Sequence, residues 1–203
     1  MFGLPASTEI RKPVPKTVIY EKFATELTGN RKKSFENDIS RILVVNEISG
    51  ASVNIREGDE VKAIFTVLIE LKSKDYDERN IALIVKLFGQ KLIIALHYQN
   101  EYQLGIYQTK VLCSDWCSEN DMTLRLEGLD LDGVWKSLVS QISGIIPEKN
   151  RSLDEQIAVE GEKEKIEKEI SKLESQARRE TQSKKKYELH ERLLAYKKRL
   201  EEM

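Results

Sequence analysis

Two side chains at the end of an apolar run carry the most chemistry in this sequence. Glu70-Leu71-Lys72 closes the segment Val61–Lys72, and in an extended chain the i, i+2 spacing turns Glu70 and Lys72 to one face. A carboxylate beside a lysine suits divalent-metal hydrolysis, with the carboxylate holding Mg²⁺ and the amine positioning or activating water. Such a site needs a second carboxylate close by. Asp59, in the preceding turn, is one candidate; Glu47 is another if Ile42–Ile48 pairs antiparallel with Ile64–Lys72 and sets Glu47 opposite Glu70.

That set, with the order helix, strand, hairpin, helix, strand, resembles the core of a PD-(D/E)xK nuclease, an analogy at the level of fold. Mg²⁺ is a cofactor only under that reading. Against it, Glu-x-Lys is a common tripeptide, no Pro-Asp precedes the strand, and a solvated surface pair is the default. Cys113 and Cys117 have a CxxxC spacing, but structural zinc takes four ligands, usually as two pairs, and the only histidines are His97 and His190. The thiols are therefore expected to be buried or half-buried, with no metal site. His97 lies mid-strand among aliphatic residues and reads as a packed histidine. Neither a phosphate-binding G-x-x-x-x-G-K-[ST] loop nor a G-x-G-x-x-G turn is present, so neither an ATPase nor a dinucleotide enzyme is expected, and no cofactor is implied.

The elements that must position these residues read as mixed α and β. Helices are predicted near Lys16–Leu27, with Val18, Ile19 and Phe23 apolar, and around Phe35 and Ile39. The strand Ile42–Ile48 follows. Ser52–Arg56, the turn Glu57-Gly58-Asp59 and Val61–Lys72 read as a hairpin. Asp75–Phe88 is a helix closed by Gly89, and Lys91–Tyr98 with Tyr102–Gln108 forms a second hairpin. The continuous run Leu92–Leu96 predicts a central strand covered on both faces. Val111–Cys113 and Met122–Leu126 read as further strands, and Asp130 or Asp132 caps a helix ending at Ser143-Gly144. Helices and hairpins alternate without a βαβ repeat, so the class is α+β, with a mixed, mostly antiparallel sheet and flanking helices.

Charge separates a second region. The 54 residues from 150 to 203 hold 14 Lys/Arg and 13 Asp/Glu, whereas residues 1–149 have ordinary globular composition, with Pro147, the last proline, at the border. Ser152-Leu153-Asp154-Glu155 is a capping box. Ile166, Ile170, Leu173 and Ala177 then form one a/d stripe, and Leu189, Leu193, Tyr196, Leu200 and Met203 another. In one continuous helix the second stripe is rotated by roughly 120° from the first. The tail is thus an amphipathic helical arm, either a hairpin turning within Arg178–Lys186 or a coiled coil, one long helix whose halves face different partners. Its stripes serve packing, self-association or the binding of a protein partner. Arg178, Arg179, Lys184, Lys185 and Lys186 form a basic band able to contact phosphates, although acidic residues interleave along the tail almost one for one.

With 33 basic and 34 acidic residues the chain carries a net charge of −1, which excludes a simple DNA-coating protein. It contains no run of about 18 apolar residues that would span a membrane. Its N-terminus turns polar within six residues and lacks a signal peptide's basic region, and two cysteines make no disulfide framework. A cytoplasmic protein is expected.

Phe2-Gly3-Leu4-Pro5 followed by Ser7-Thr8-Glu9, Val45-Asn46-Glu47-Ile48, the stretch Lys91–Tyr107 running on to Ser114-Asp115-Trp116, and the Gln182-Ser-Lys-Lys-Lys element together resemble an uncharacterised bacterial family. It is the domain-of-unknown-function family numbered four-three-nine-one. Phe88-Gly89 departs from that pattern, which has Ile-Pro there. The resemblance implies a setting beside superfamily-two helicases and DNA methyltransferases in restriction or phage-defence systems, and it assigns no catalytic residue. The reading is a non-enzymatic accessory subunit that binds a helicase or methyltransferase as its protein partner and reaches DNA only indirectly or weakly. The alternatives are the Mg²⁺-dependent nuclease and an oligomeric scaffold, homo-oligomeric through the tail, with no nucleic-acid role.

Overall fold

A computed structural model describes residues 1–108, 111–146 and 151–202, without the side chains of Leu153 and Glu164. Pro147, the border residues 149 and 150, and Met203 of the second stripe lie outside the described residues. The chain divides into two compact units, Met1–Ile146 and Pro147–Met203.

The first unit is a six-stranded mixed sheet in sequential order. Its elements are β1 (Glu9–Pro13), α1 (Lys16–Lys22), α2 (Asn30–Asp38), β2 (Ile39–Ser49), α3 (Gly50–Val53), β3 (Ala63–Leu71), α4 (Glu78–Phe88), β4 (Lys91–Tyr98), β5 (Glu101–Tyr107), β6 (Val111–Cys113) and α5 (Leu131–Ser143). All neighbouring strands are antiparallel except β3 and β4, which α4 joins as a parallel pair. Leu92–Leu96 of β4 are each at most 1% exposed. A strand flanked by two others and covered on both faces has no solvent side, which is why it lacks alternation.

One face of the sheet buries Ile42, Val44, Val67, Ile69, Leu92, Ile94 and Leu96 against Ile19, Phe35, Ile81 and Ile84 of α1, α2 and α4. On the other face, α5 lies against β3, β5 and β6 and buries Val134, Leu138 and Ile142. Asp77 caps α4 by accepting from the Arg79 amide, and Gly89 ends that helix at φ 62°, a left-handed conformation that a Cβ would strain.

Several expectations change. The first helix stops at Lys22, with Val18 exposed, and Ile39 begins a strand. Ser52–Arg56 is no hairpin strand: Gly50–Val53 is a short helix started by a Ser49/Ser52 capping box, and β3 pairs with β2 instead. Met122–Leu126 forms no strand; Met122 and Leu124 are buried, and the Leu124 amide donates to the Phe2 carbonyl. Asp130 caps α5 as expected, whereas the Asp132 carboxylate accepts from the amides of Asp59, Glu60 and Val61.

The second unit is an antiparallel pair of helices, α6 (Leu153–Arg179) and α7 (Ser183–Glu201). Ser152 and Glu155 form the capping box that starts α6. The turn at residues 180–182 needs no glycine or proline. Glu180 and Gln182 sit in ordinary extended conformation (φ −76° and −81°), and the Glu180 carboxylate accepts from the Gln182 amide. Among the described residues no helix is long and apolar enough to cross a membrane.

Candidate functional site

Glu70 and Lys72 leave β3 in different directions. The Glu70 carboxylate lies 4.0 Å from the Arg41 guanidinium on β2 and neighbours His97 in the β3–β4 register. The Lys72 ammonium donates to the Glu36 carbonyl of α2 at 2.7 Å. Neither proposed second carboxylate joins them. Asp59 precedes β3 at the end opposite Glu70, and seven residues of strand separate Ala63 from Glu70, a distance of about 23 Å.

Glu47 faces Phe65, not Glu70, whose partner on β2 is Arg41. The register sets the distance: Ile39 pairs with Leu71, so Glu47 meets β3 five residues short of Glu70, and a pair of bulges then decides which face it takes. β2 carries one extra residue between Ile39 and Arg41 and another between Val44 and Asn46. The second reverses which side chains face which side, so Asn46 meets Thr66 while Glu47 turns to the face opposite Glu70. Sequence alternation cannot reveal this, because Ile42, Val44, Asn46 and Ile48 are buried at unbroken period two. Among the described residues no three His, Cys, Asp or Glu side chains are placed to share a metal ion.

What the fold does assemble at this end of the sheet is a polar row. Arg41, Glu70, His97 and Tyr102 are successive register partners across β2, β3, β4 and β5. His97 stacks on Tyr102 at 4.4 Å, and Phe2 meets the same ring edge-on at 5.4 Å. Burial, with the Glu119 and Glu70 carboxylates, pushes the Tyr102 phenol above its usual range. The expectation of a packed His97 is met by an aromatic neighbour rather than an aliphatic one. His97–Tyr102 pairing follows from the β4–β5 turn at Gln99-Asn100; Arg41 was hidden by the first bulge.

A second cluster ties α2 to the start of α4. Asp77 takes a 2.6 Å ion pair from Arg31, and Arg79 wraps back on it at 2.7 Å. The side-chain bonds from Arg79, with its amide and the Arg31 charge, hold the Asp77 carboxyl down at about 2 against the cost of desolvation. Asp38 accepts from the Asp77 amide and from Asn80 Nδ2, and Asn80 is fully buried. These charges are consumed by one another, which makes the cluster a clasp. Cys113 and Cys117 are both free; contrary to expectation Cys113 is exposed, at a short edge strand, while Cys117 is half-buried.

In the helical unit the two stripes meet within the chain. Ile166, Leu173 and Leu193 are buried and Ile170, Ala177, Leu189, Tyr196 and Leu200 half-buried along the line where α6 and α7 pack. Lys197–Glu174 at 2.9 Å and Arg199–Glu162 at 3.7 Å bridge the helices. The stripes are thereby used inside the hairpin, and the surface left to solvent is the outer side of α7. There Tyr187 and Leu194 are 65% and 50% exposed. Seven residues apart, they share a face turned away from the seam. The turn brings Arg178 and Arg179 at the end of α6 together with Lys184, Lys185 and Lys186 at the start of α7.

A family model described as a domain of unknown function (DUF4391) matches residues 2–200. No curated protein and no solved structure matches the chain.

Proposed function

The chain belongs to the DUF4391 family, and on that premise we propose that it is a non-enzymatic accessory subunit of a bacterial DNA restriction or phage-defence system, docking a helicase or DNA methyltransferase through the outer side of its helical hairpin. The observation that carries the reading is the exposed Tyr187–Leu194 pair on α7. Two large apolar side chains on one face of a long helix are the type of anchor that an amphipathic helix offers a partner groove. The dispersal of Glu70, Lys72, Asp59 and Glu47 supports a role in binding over one in hydrolysis. The helicase and methyltransferase setting is what the family resemblance implies.

The test is capture on the tagged full-length chain, co-expressed with the helicase and methyltransferase encoded beside it and treated with nuclease to remove bridging DNA. The expected result is recovery of one of them, lost in the Tyr187→Glu/Leu194→Glu double variant. Recovery of neither, or equal recovery by the variant, overturns the proposal.

A further inference from the structure

The charges of the hairpin are sorted along its length. In the stem, opposite charges pair with one another: Lys163 with Glu160, Lys165 with Glu162, Lys172 with Glu169, Lys197 with Glu174 and Arg199 with Glu162. At the tip the pattern stops. The thirteen residues from Ser175 to Tyr187 contain five cations, Arg178, Arg179, Lys184, Lys185 and Lys186, and one carboxylate, Glu180. That carboxylate accepts from the Gln182 amide. None of the five cations has an ion-pair partner among the described residues. A groove on one side of the tip is lined by Arg179, Lys185 and Arg192, with Glu180 and Glu188 also on its wall.

We infer that the hairpin tip binds the phosphate backbone of a nucleic acid directly. Interleaved acids along the tail argue against phosphate binding only if charge is averaged over the sequence. Ion pairs take up part of the stem's charge, while the tip holds five cations against one carboxylate, a local positive field that salt screens beyond a Debye length of about 8 Å. Two helix ends packed about 8–10 Å apart present their cations from both sides of the turn, so several phosphates can be contacted at once. The chemistry favours a nucleic acid over an anionic membrane. Gln176, Thr181, Gln182 and Ser183 fill the tip between the cations, and beyond Tyr187 at its edge it carries no apolar side chain larger than Ala177, too little to enter a bilayer. The inference goes beyond the docking proposal and does not require it: Tyr187 borders the tip cations, but phosphate contact draws on the charges and partner docking on the apolar pair.

Fluorescence anisotropy of the full-length protein with a labelled 20-base-pair DNA duplex and its single strand, titrated with salt, tests this. Binding of at least one probe is expected at about 50 mM salt, falling steeply as salt rises. The Lys184→Glu/Lys185→Glu/Lys186→Glu variant is expected to weaken binding by at least about tenfold and to reduce the slope of log affinity against log salt by up to about three. The same charge change at three exposed lysines of the sheet unit, Lys12→Glu/Lys33→Glu/Lys86→Glu, is expected to leave the slope unchanged. Circular dichroism of all three proteins keeps a folding defect apart from a binding one. No binding to either probe, an equal loss in both triple variants, or binding to phosphatidylserine vesicles without binding to DNA overturns the inference. Partner capture under nuclease is read separately, so the docking proposal and this one fail independently.

Discussion

The sheet unit and the helical hairpin solve the same problem, how to carry many charges in a stable fold, in opposite ways. In the sheet unit, half-buried carboxylates are held by neighbouring groups. Asp77 is held by Arg31 and Arg79, Asp38 by Asn80 and the Asp77 amide, and the Asp132 carboxylate by three backbone amides. Apolar side chains fill both faces of the sheet around them. The hairpin packs along the seam between α6 and α7. Several charges of the stem are paired, and the five cations of the tip have no ion-pair partner among the described residues. The first arrangement makes a rigid scaffold whose chemistry is turned inward. The second makes an arm whose chemistry faces outward.

The largest effects that test this contrast come from the cores. Phe35, fully buried among α1, α2 and the sheet, is expected to lose about 3–5 kcal/mol of stability as Phe35→Ala, measured by urea denaturation. Leu173, 1% exposed, has fewer neighbours to collapse upon, and Leu173→Ala is expected to cost about 2 kcal/mol. Amide exchange locates each loss: Leu173→Ala accelerates exchange in α6 and α7 and leaves β3 and β4 protected. Equal acceleration in β3 and β4 breaks the contrast.

A smaller effect tests the inward-turned charges through pH. The Asp77 carboxyl sits at about 2 in the folded protein, below its ordinary value of 3.8. Its contribution is therefore fully present above about 4 and is lost as pH falls through the interval from 4 to 2, where the unfolded chain takes up a proton that the folded chain refuses. Asp77→Ala removes the α4 cap and both ion pairs together and is expected to cost about 1 kcal/mol at neutral pH. In the variant, stability falls less steeply between pH 4 and 2 than in the wild type. An unchanged acid limb means that Asp77 titrates normally.

How far the sequence reveals this architecture depends on whether the signal is local. The β4–β5 hairpin, the Gly89 terminus and the Ser152/Glu155 box are each written within a few residues, and they stand as read. The β2 bulges are not, because inserting one residue into a ladder leaves the buried period of two intact while exchanging faces. That device decides the face Glu47 takes, while the strand register, which composition and spacing do not report either, sets its distance from Glu70. The 180–182 turn was equally silent, since extended residues without glycine or proline make it. The tip cations were visible one by one, but their convergence is a product of that turn.

The smallest expected effect concerns the stem pairs and sharpens the contrast most finely. Lys197 and Glu174 bridge α6 and α7 at 2.9 Å, yet both remain substantially open to water. Exposed ion pairs gain little Coulomb energy in a high dielectric and lose side-chain entropy when fixed. Lys197→Ala is accordingly expected to leave the unfolding midpoint of the hairpin where it was, while Leu173→Ala, on the same seam, lowers it. If both variants lower it alike, the stem is held by charge as much as by its apolar line, and the contrast between a paired stem and an unpaired tip is lost. If only Leu173→Ala does, the stem pairs serve chiefly to cancel charge. That cancellation is the condition under which five unpaired cations at the tip make a directed field.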